Sequence, residues 1–246
     1  MKNAQAVFYK QLRDTLKSPT ILIQFIIFPL VAFVMSRLAV PNLDGVPCDI
    51  AEMLRANMPN MVTMMATIFA GMGLITVVPG IITEDMEKKS LRFLVMAGVK
   101  PWSYLIGIGG VIFLAGLGTS VAFGVIGGFR GLDFMIFTAA MLSGVVASIV
   151  LGAMFGILAG THQAASGLVL PIALILGFGP MVAQFNDNAA RLLNIFYTQQ
   201  LNVIADRLTI GDVGTPLWQS FAIMWANVAV LGVLFAWVFK KKWPVA

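Results

Sequence analysis

The chain has 246 residues, of which 59% are hydrophobic and 11% charged, and its mean hydropathy is +0.91. Soluble domains are about 45–50% apolar and about 25% charged, so this composition excludes an ordinary soluble protein. The net charge of +5 requires no nucleic-acid partner, because lysines beside anionic membrane lipid account for it.

Residues 2–17 are predicted to form an amphipathic helix. We expect it to rest in the membrane interface, with its charged side toward lipid phosphates. It serves either as a simple topology anchor or as a mechanical element at the cytoplasmic face. The apolar side carries Ala4, Phe8, Tyr9, Leu12 and Leu16.

Six apolar runs are each long enough to cross a bilayer, which takes about 20 residues. They cover residues 20–40, 59–82, 102–128, 134–160, 167–185 and 217–239. None carries an acid or a base at mid-depth. The sequence therefore predicts an all-α integral membrane protein in which residues 1–246 form one transmembrane domain.

Span two is rich in methionine, an adaptable side chain that is common on promiscuous binding surfaces. Span one contributes a polar residue within its apolar run. Either these residues line a substrate path or the methionines simply fill the core. The candidates for the path are Gln24, Met61, Met64, Met65 and Met72.

Residues 84–98 are predicted to form a short helix between spans two and three. Thr83 can cap it, its first turn carries Glu84 and Glu87, and Gly98 lies where a helix-ending glycine belongs. A plain connection needs only a few polar residues. The segment therefore indicates a docking surface, with a purely structural loop as the alternative.

Span four has a small residue at every fourth position from Gly144 to Gly160, which allows another helix to approach closely, either from the same chain or from a second copy. Residues 186–216 mix apolar and polar side chains. They predict a semi-buried outer segment of one or two short helices, or an amphipathic helix resting on the outer surface.

The basic residues predict the orientation. With the N-terminus inside, every lysine lies on the inner side, and the outer side holds only arginines, which are Arg37, Arg55, Arg130, Arg191 and Arg207. The positive-inside rule then places both termini in the cytoplasm.

The chemistry of a self-powered pump is missing from the sequence. No G-x-x-x-x-G-K-[ST] loop for nucleotide occurs, and the spans lack the ionisable residues that proton- or ion-coupled carriers hold inside the bundle. We therefore expect a conduit that another protein drives.

The segment from Glu84 to Val99 resembles the loop after span two in ABC type-2 exporter permeases, where the pattern is roughly E-R-E-x-G-T-L-E-x-L-x-x-T-P-V. Asp85 and Glu87 match the paired acids, and Ser90 with Leu91 matches the T-L pair. Departures from the glycine, glutamate and proline of the pattern are Lys89, Arg92 and Gly98. The six-span order and the Arg13–Asp14 pair on an amphipathic helix are also similar to the family.

This resemblance implies the ABC type-2 exporter fold, with residues 84–97 as a coupling helix that docks on a separate ABC ATPase subunit. That subunit would bind ATP and Mg²⁺, so this chain would hold no cofactor and would not be an enzyme. It also implies a second permease, as a homodimer or with a close paralogue, in a bacterial plasma membrane. The implied docking residues are Glu84, Glu87, Lys88, Ser90, Leu91, Arg92, Phe93 and Leu94.

For the cargo, family members of this size and the apolar walls favour amphipathic or antimicrobial peptides, such as lantibiotics and phenol-soluble modulins, or hydrophobic toxic compounds, as in drug resistance. Lipid-linked polysaccharide or another lipid is the alternative cargo. A non-transporting membrane scaffold or assembly factor is the alternative of another class.

Overall fold

The computed structural model describes residues 2–38, 47, 61–90, 93, 96, 101–211 and 217–242. These residues form helices, turns and short connections, and no strand occurs among them. The helices are α1 (Lys2–Lys17), α2 (Pro19–Leu38), α3 (Met61–Glu87), α4 (Pro101–Ile126), α5 (Gly131–Ala159), α6 (His162–Ala183), α7 (Asp187–Leu193), α8 (Tyr197–Ile210) and α9 (Leu217–Lys242).

Six of these helices are long and apolar enough to cross a membrane, namely α2, α3, α4, α5, α6 and α9. The predicted fold class, an all-α membrane protein with six spans, is therefore confirmed. The helices agree closely with the predicted spans. The clearest differences are that span two continues to Glu87 instead of residue 82, and that span five begins at His162 instead of residue 167.

The central helix of the bundle is α3. Its most apolar stretch is 72% buried, against 17% for α2 and for α9, which lie at the periphery. Threonine hydroxyls inside α3 donate back to carbonyl oxygens one turn earlier, for example Thr67 to Thr63 at 2.9 Å. Such bonds satisfy polar groups that the apolar surroundings would otherwise leave unpaired.

A π-helical turn at Phe69–Gly73 interrupts α3 where it crosses span five. A Cβ atom at Gly71 would lie 2.5 Å from the carbonyl oxygen of Leu176, so only glycine allows this crossing. The opposite side of the same turn is aromatic, with the Phe69 ring packed edge-on against Phe25 and Phe28 of α2. The turn thus locks spans one, two and five together.

The small residues of span four meet span two of the same chain. Cβ atoms at Gly152 and Gly156 would lie 2.9 Å from Val78 and 3.0 Å from Ile82. One turn before Gly152 in span four, Ser148 Oγ donates to the carbonyl oxygen of Ala70 at 2.7 Å. The close approach predicted for this stripe therefore occurs within one chain.

The segment after span five forms two short helices of different character. α7 buries none of its residues, whereas α8 buries nine, including four polar side chains and Tyr197. Tyr197, the first residue of α8, lies 2.9 Å from Ser148 Oγ, so α8 starts in the interior of the bundle. Since the serine proton is used on Ala70, the tyrosine hydroxyl donates to Ser148.

Helix α1 packs against span three. The Phe8 ring lies 3.3 Å from the position of a Cβ at Gly110, and Gln11 and Thr15 are buried. Tyr9, which was predicted on the apolar side, is 72% exposed. Tyr9 therefore takes no part in the contact with span three, and its predicted place in the membrane interface stays a prediction.

We call the end of the bundle that holds α1, Ser90, Trp102 and the end of α9 the lysine end. Trp102, at the start of span three, packs against Phe239, and Lys240 follows directly. At the same end Lys10 of α1 approaches Asp85 near the end of α3.

The helix predicted at 84–98 does not begin at Thr83. Residues 84–87 are the last turn of α3, and the Thr83 hydroxyl donates to Pro79 at 2.8 Å instead of capping a new helix. A turn follows at Lys88 and Lys89, and helix is resumed at Ser90 and is present at Phe93 and Met96. Gly98 lies outside the described residues.

The contact of span four with span two predicts a position-specific response to alanine. Gly152→Ala places a methyl group 2.9 Å from Val78 and should lower the thermal midpoint, because overpacking costs about 1–3 kcal/mol. The matched control is Gly144→Ala in the same stripe, where the nearest atom lies at an ordinary 3.6 Å. Thermal unfolding of the purified chain in detergent measures both, and equal midpoints would contradict the packing.

Candidate functional site

The lysine end is organised around the carboxylate of Asp85. Its Oδ2 accepts a hydrogen bond from the Tyr104 hydroxyl at 2.7 Å, and its Oδ1 accepts one from Ser90 Oγ at 2.6 Å. Lys10 Nζ lies 3.6 Å from the same Oδ1. One side chain thus joins α1, span two, the restarted helix and span three.

The bonds to Asp85 differ in strength because they differ in burial. Tyr104 is 2% exposed, so losing its acceptor would leave a buried hydroxyl unpaired at a cost of about 1–3 kcal/mol. The Lys10 ammonium is 42% exposed, and an ion pair of that kind contributes about 0–1 kcal/mol. The Tyr104 bond is therefore the firm connection, and the Lys10 contact is the one that can open at little cost.

Glu87 makes a second connection from the end of span two. Its Oε1 accepts a hydrogen bond from the backbone N–H of His162 at 2.7 Å. His162 is the first residue of span five, where backbone N–H groups lack intrahelical partners, and Thr161 caps the same terminus. A carboxylate here accepts a hydrogen bond from one such donor and is stabilised by the positive end of the helix dipole.

The charged pair at the turn is solvent-exposed. Lys88 donates to the Glu84 carboxylate one helical turn earlier. This hydrogen bond, together with the attraction of the carboxylate, raises the pKa of Lys88 above its ordinary value. Lys88 therefore carries its charge throughout the neutral range.

The turn itself requires an unusual backbone. Lys89 has φ of 56°, and it is the one positive-φ residue other than glycine among the described residues. Its carbonyl oxygen accepts from the Phe93 N–H at 3.4 Å, which starts the next helix. The glycine of the resembling pattern falls at this position, and glycine adopts this conformation without strain.

Beyond the turn, large apolar side chains point away from the bundle. Phe93 is 67% exposed and Met96 is 76% exposed. These two residues, one turn apart, form an apolar surface beside charged groups. Of the other predicted docking residues, Leu91, Arg92 and Leu94 lie outside the described residues.

The residues predicted for a substrate path lie apart from this site. Met65 and Met72 pack against the buried core, and Met72 meets span five at Gly177, where a Cβ would lie 3.1 Å away. Met61 is partly exposed near the start of α3, and Met64 is half-buried on the same helix. Gln24 is half-buried, and its Oε1 has no partner among the described residues.

A second polar cluster lies at the far end of the bundle from Asp85. Asp206 of α8 accepts hydrogen bonds from Asn202, at 2.8 Å, and from Thr63, near the start of span two. Span two is therefore tied to neighbouring elements near both of its ends. Sequence reasoning missed this cluster because Asp206 and Thr63 are far apart in the chain and neither belongs to a motif.

Sequence reasoning also passed over Asp85 as a site residue, although it noted Asp85 as a match to the paired acids. Its principal partner, Tyr104, is nineteen residues away. The available signal was a single acid followed by a tyrosine in the first turn of the next span. That signal has no fixed spacing and could not be separated from chance.

The family model for the ABC-2 family transporter protein matches residues 54–237. The chain belongs to this family. No curated protein matches the sequence significantly. The ABC-2 permease is thus a transmembrane subunit of an ABC transporter and a multi-pass membrane protein, and its family works with an ABC ATPase partner. The matched region includes Asp85, Tyr104 and the turn, whereas α1 with Lys10 precedes it.

The backbone at Lys89 gives a test of the turn in the permease. Lys89→Gly should raise the thermal midpoint, because a left-handed conformation costs an L-residue about 1–2 kcal/mol and costs glycine little. Lys89→Val should lower it, since a β-branched side chain tolerates positive φ least. Thermal unfolding of the purified permease measures both.

The control for the lost charge is Lys88→Gly, which removes the same charge where φ is −73°. We expect no increase in the midpoint for that variant. A midpoint for Lys89→Gly at or below that of Lys88→Gly would contradict the left-handed turn.

Proposed function

We propose that the permease is the membrane half of an ATP-driven exporter and that the segment after span two is where its ATPase docks. The observation that carries this proposal is the exposed apolar surface of Phe93 and Met96, attached to the bundle through Ser90 and Asp85. An exposed aromatic beside a charged turn suits a protein partner, since aromatic anchors dominate such interfaces.

In this mechanism, ATP and Mg²⁺ are bound by the partner, and the permease receives motion rather than nucleotide. Displacement of the docked segment is passed through Asp85 to Tyr104 of span three and to Lys10 of α1. It is passed through Glu87 to the start of span five. Span two, which carries both acids, and these three neighbouring elements therefore respond to one docking event.

The long helix α3 would carry the same motion across the membrane. It continues from Met61 to Glu87 through its π-helical turn, and near its far end Thr63 is bonded to Asp206 of α8. Ser148 joins α3 and α8 at a second level, through Ala70 and Tyr197. A shift of α3 at the lysine end would therefore displace α8, where a path outward would open.

The proposal places the lysine end and both termini in the cytoplasm of a bacterium, as the positive-inside rule requires. It takes a second permease, either an identical copy or a close paralogue, as the partner that completes the path. The cargo we propose is an amphipathic peptide or a hydrophobic toxic compound. The apolar spans support this choice, and stimulation of ATP hydrolysis by a lipid-linked sugar instead would assign the alternative cargo.

Docking is tested by Phe93→Ala. Removing an aromatic anchor of an interface costs about 2 kcal/mol or more, so the affinity for the ATPase should fall by about thirtyfold. The matched control is Tyr9→Ala, an aromatic at the same end with a similar exposure of 72%. Recovery of the ATPase with tagged permease from the membrane, relative to permease abundance, measures the effect.

Equal recovery with Phe93→Ala and with Tyr9→Ala would remove the docking role from this segment. The non-transporting scaffold is tested in the same preparation. It predicts that cargo leaves ATP hydrolysis unchanged in the wild-type complex, whereas the exporter predicts stimulation by cargo.

A further inference from the structure

An apolar cavity of about 270 Å³ lies between spans two, three, four and six, and the functions described above do not use it. Its inner wall includes Val78, Ile82 and Ile108, all fully buried. Its rim includes Trp102 and Ile106, both more than half exposed. The cavity therefore opens sideways on the outer surface of the bundle.

The lining offers an occupant almost no polar group. Apart from the indole N–H of Trp102, the lining side chains are hydrocarbon or glycine. Cavities of this chemistry stay dry, so water does not fill the space. The volume is also below the range of about 300–1,000 Å³ that is typical for bulky ligands. A narrow hydrocarbon chain is the occupant that fits.

The position of the opening identifies where that chain comes from. On the rim, span three exposes Ile106, and the outward face of span six exposes Val233 and Trp237. These are membrane-spanning helices, so their exposed apolar faces lie against lipid. Trp102 and Trp237 mark the level of the headgroups, where tryptophan is enriched. The cavity thus begins at the headgroup level and continues into the hydrocarbon.

Positive charge lies at the lysine end of the cavity. Trp102 closes the lysine end of the wall by packing against Phe235 and Phe239, and Lys240 and Lys241 follow at once. Both lysines are exposed, and Lys240 lies on the flank of α9 beside the opening. Lys241 Nζ lies 5.4 Å from the centre of the Trp237 ring, on the opposite face of the helix. From Gly232 in the wall to Lys240 is about 12 Å along the helix, at about 1.5 Å per residue.

We propose that this cavity holds one acyl chain of an anionic phospholipid whose phosphate lies against Lys240. The chain fills the gap between spans three and six, and Lys240 selects the headgroup charge. The occupant is a structural lipid rather than cargo. The proposal depends on neither the ATPase nor the direction of transport, so it can fail or succeed independently of the proposed function.

The test uses the purified full-length permease in detergent with two probes that carry identical acyl chains, phosphatidylglycerol and phosphatidylcholine. The lipid retained per permease after washing is measured by mass spectrometry, and the thermal midpoint is measured with each lipid. Wild-type permease should retain phosphatidylglycerol preferentially and gain thermal stability from it, because a ligand of the folded state stabilises that state.

The cavity is tested at Gly232, where a Cβ would meet nothing within 4 Å. Gly232→Leu should fill the space and abolish retention of phosphatidylglycerol, and Gly232→Ala should reduce it partially. The matched control is Gly118→Leu, which adds the same side chain at an equally open position of span three outside the cavity. If Gly232→Leu does not elute as a folded species, Gly232→Ala against Gly118→Ala decides.

The headgroup is tested by Lys240→Gln. A lysine near an anionic surface changes affinity by about fivefold, so this variant should lose about fivefold for phosphatidylglycerol. Its retention of phosphatidylcholine should stay unchanged. The charge-matched controls are Lys241→Gln, on the opposite face of α9, and Lys17→Gln, which removes an exposed lysine elsewhere at the same end.

Three results would overturn the proposal. Gly232→Leu could retain as much phosphatidylglycerol as Gly118→Leu, which would place the lipid elsewhere. Wild-type permease could retain the two lipids equally, which would remove the role of Lys240. An amphipathic peptide or a hydrophobic compound could displace phosphatidylglycerol from the wild type, which would make the cavity a cargo site.

Discussion

The lysine end depends on the hydrogen bonds and the ion pair that the Asp85 carboxylate makes. The carboxylate receives hydrogen bonds from the buried Tyr104 and from Ser90, and it faces the ammonium of Lys10. Its side chain is only 14% exposed, so its charge is tolerated because donors surround it. Without it, span two, span three, α1 and the turn would lose their one common contact. The turn would then present Phe93 without a fixed relation to the bundle.

The remainder of the bundle extends this connection. Span two is long, and the glycines of span four pack so closely against it that added Cβ atoms would lie 2.9 Å from Val78 and 3.0 Å from Ile82. Its π-helical turn packs against span one through the Phe69 ring and against span five through Gly71. At the far end Thr63 and Asp206 repeat the arrangement of a polar side chain of span two bonded to a neighbouring element. Close packing of this kind transmits displacement, because interiors packed at crystal-like density do not absorb it.

The six spans could be predicted because length and hydropathy are sufficient for that purpose, and both are local properties. The residue at which the docking helix starts could not be predicted in this way. Thr83 can cap a helix or donate to a carbonyl one turn back, and the sequence does not distinguish these roles. Acids at 84–87 favour a helix start, yet here they complete a helix end, since Asp85 and Glu87 obtain donors from other elements. Tertiary partners decided the boundary against the local signal.

The same limit applies within α1 and α8. Gln11 and Thr15 of α1 are buried against span three, although hydropathy does not select polar residues for such a contact. α8 starts inside the bundle because Tyr197 is hydrogen-bonded to Ser148. Ser148 lies in the glycine-rich stripe of span four, which the sequence indicated only as a packing motif. A residue's neighbours in space determine these outcomes, and no spacing in the chain encodes them.

The most direct measurement is a double-mutant cycle between Asp85→Asn and Tyr104→Phe, read as the rate of ATP hydrolysis by the permease–ATPase complex. Both substitutions keep the shape of the side chain and remove the charge or the hydroxyl. If the two groups act as one connection, each single variant lowers the rate and the double variant is no slower than the slower single variant. Recovery of the ATPase should stay at the wild-type level, because Phe93 is unchanged. Effects that simply multiply in the double variant, or single variants with the wild-type rate, would contradict the account.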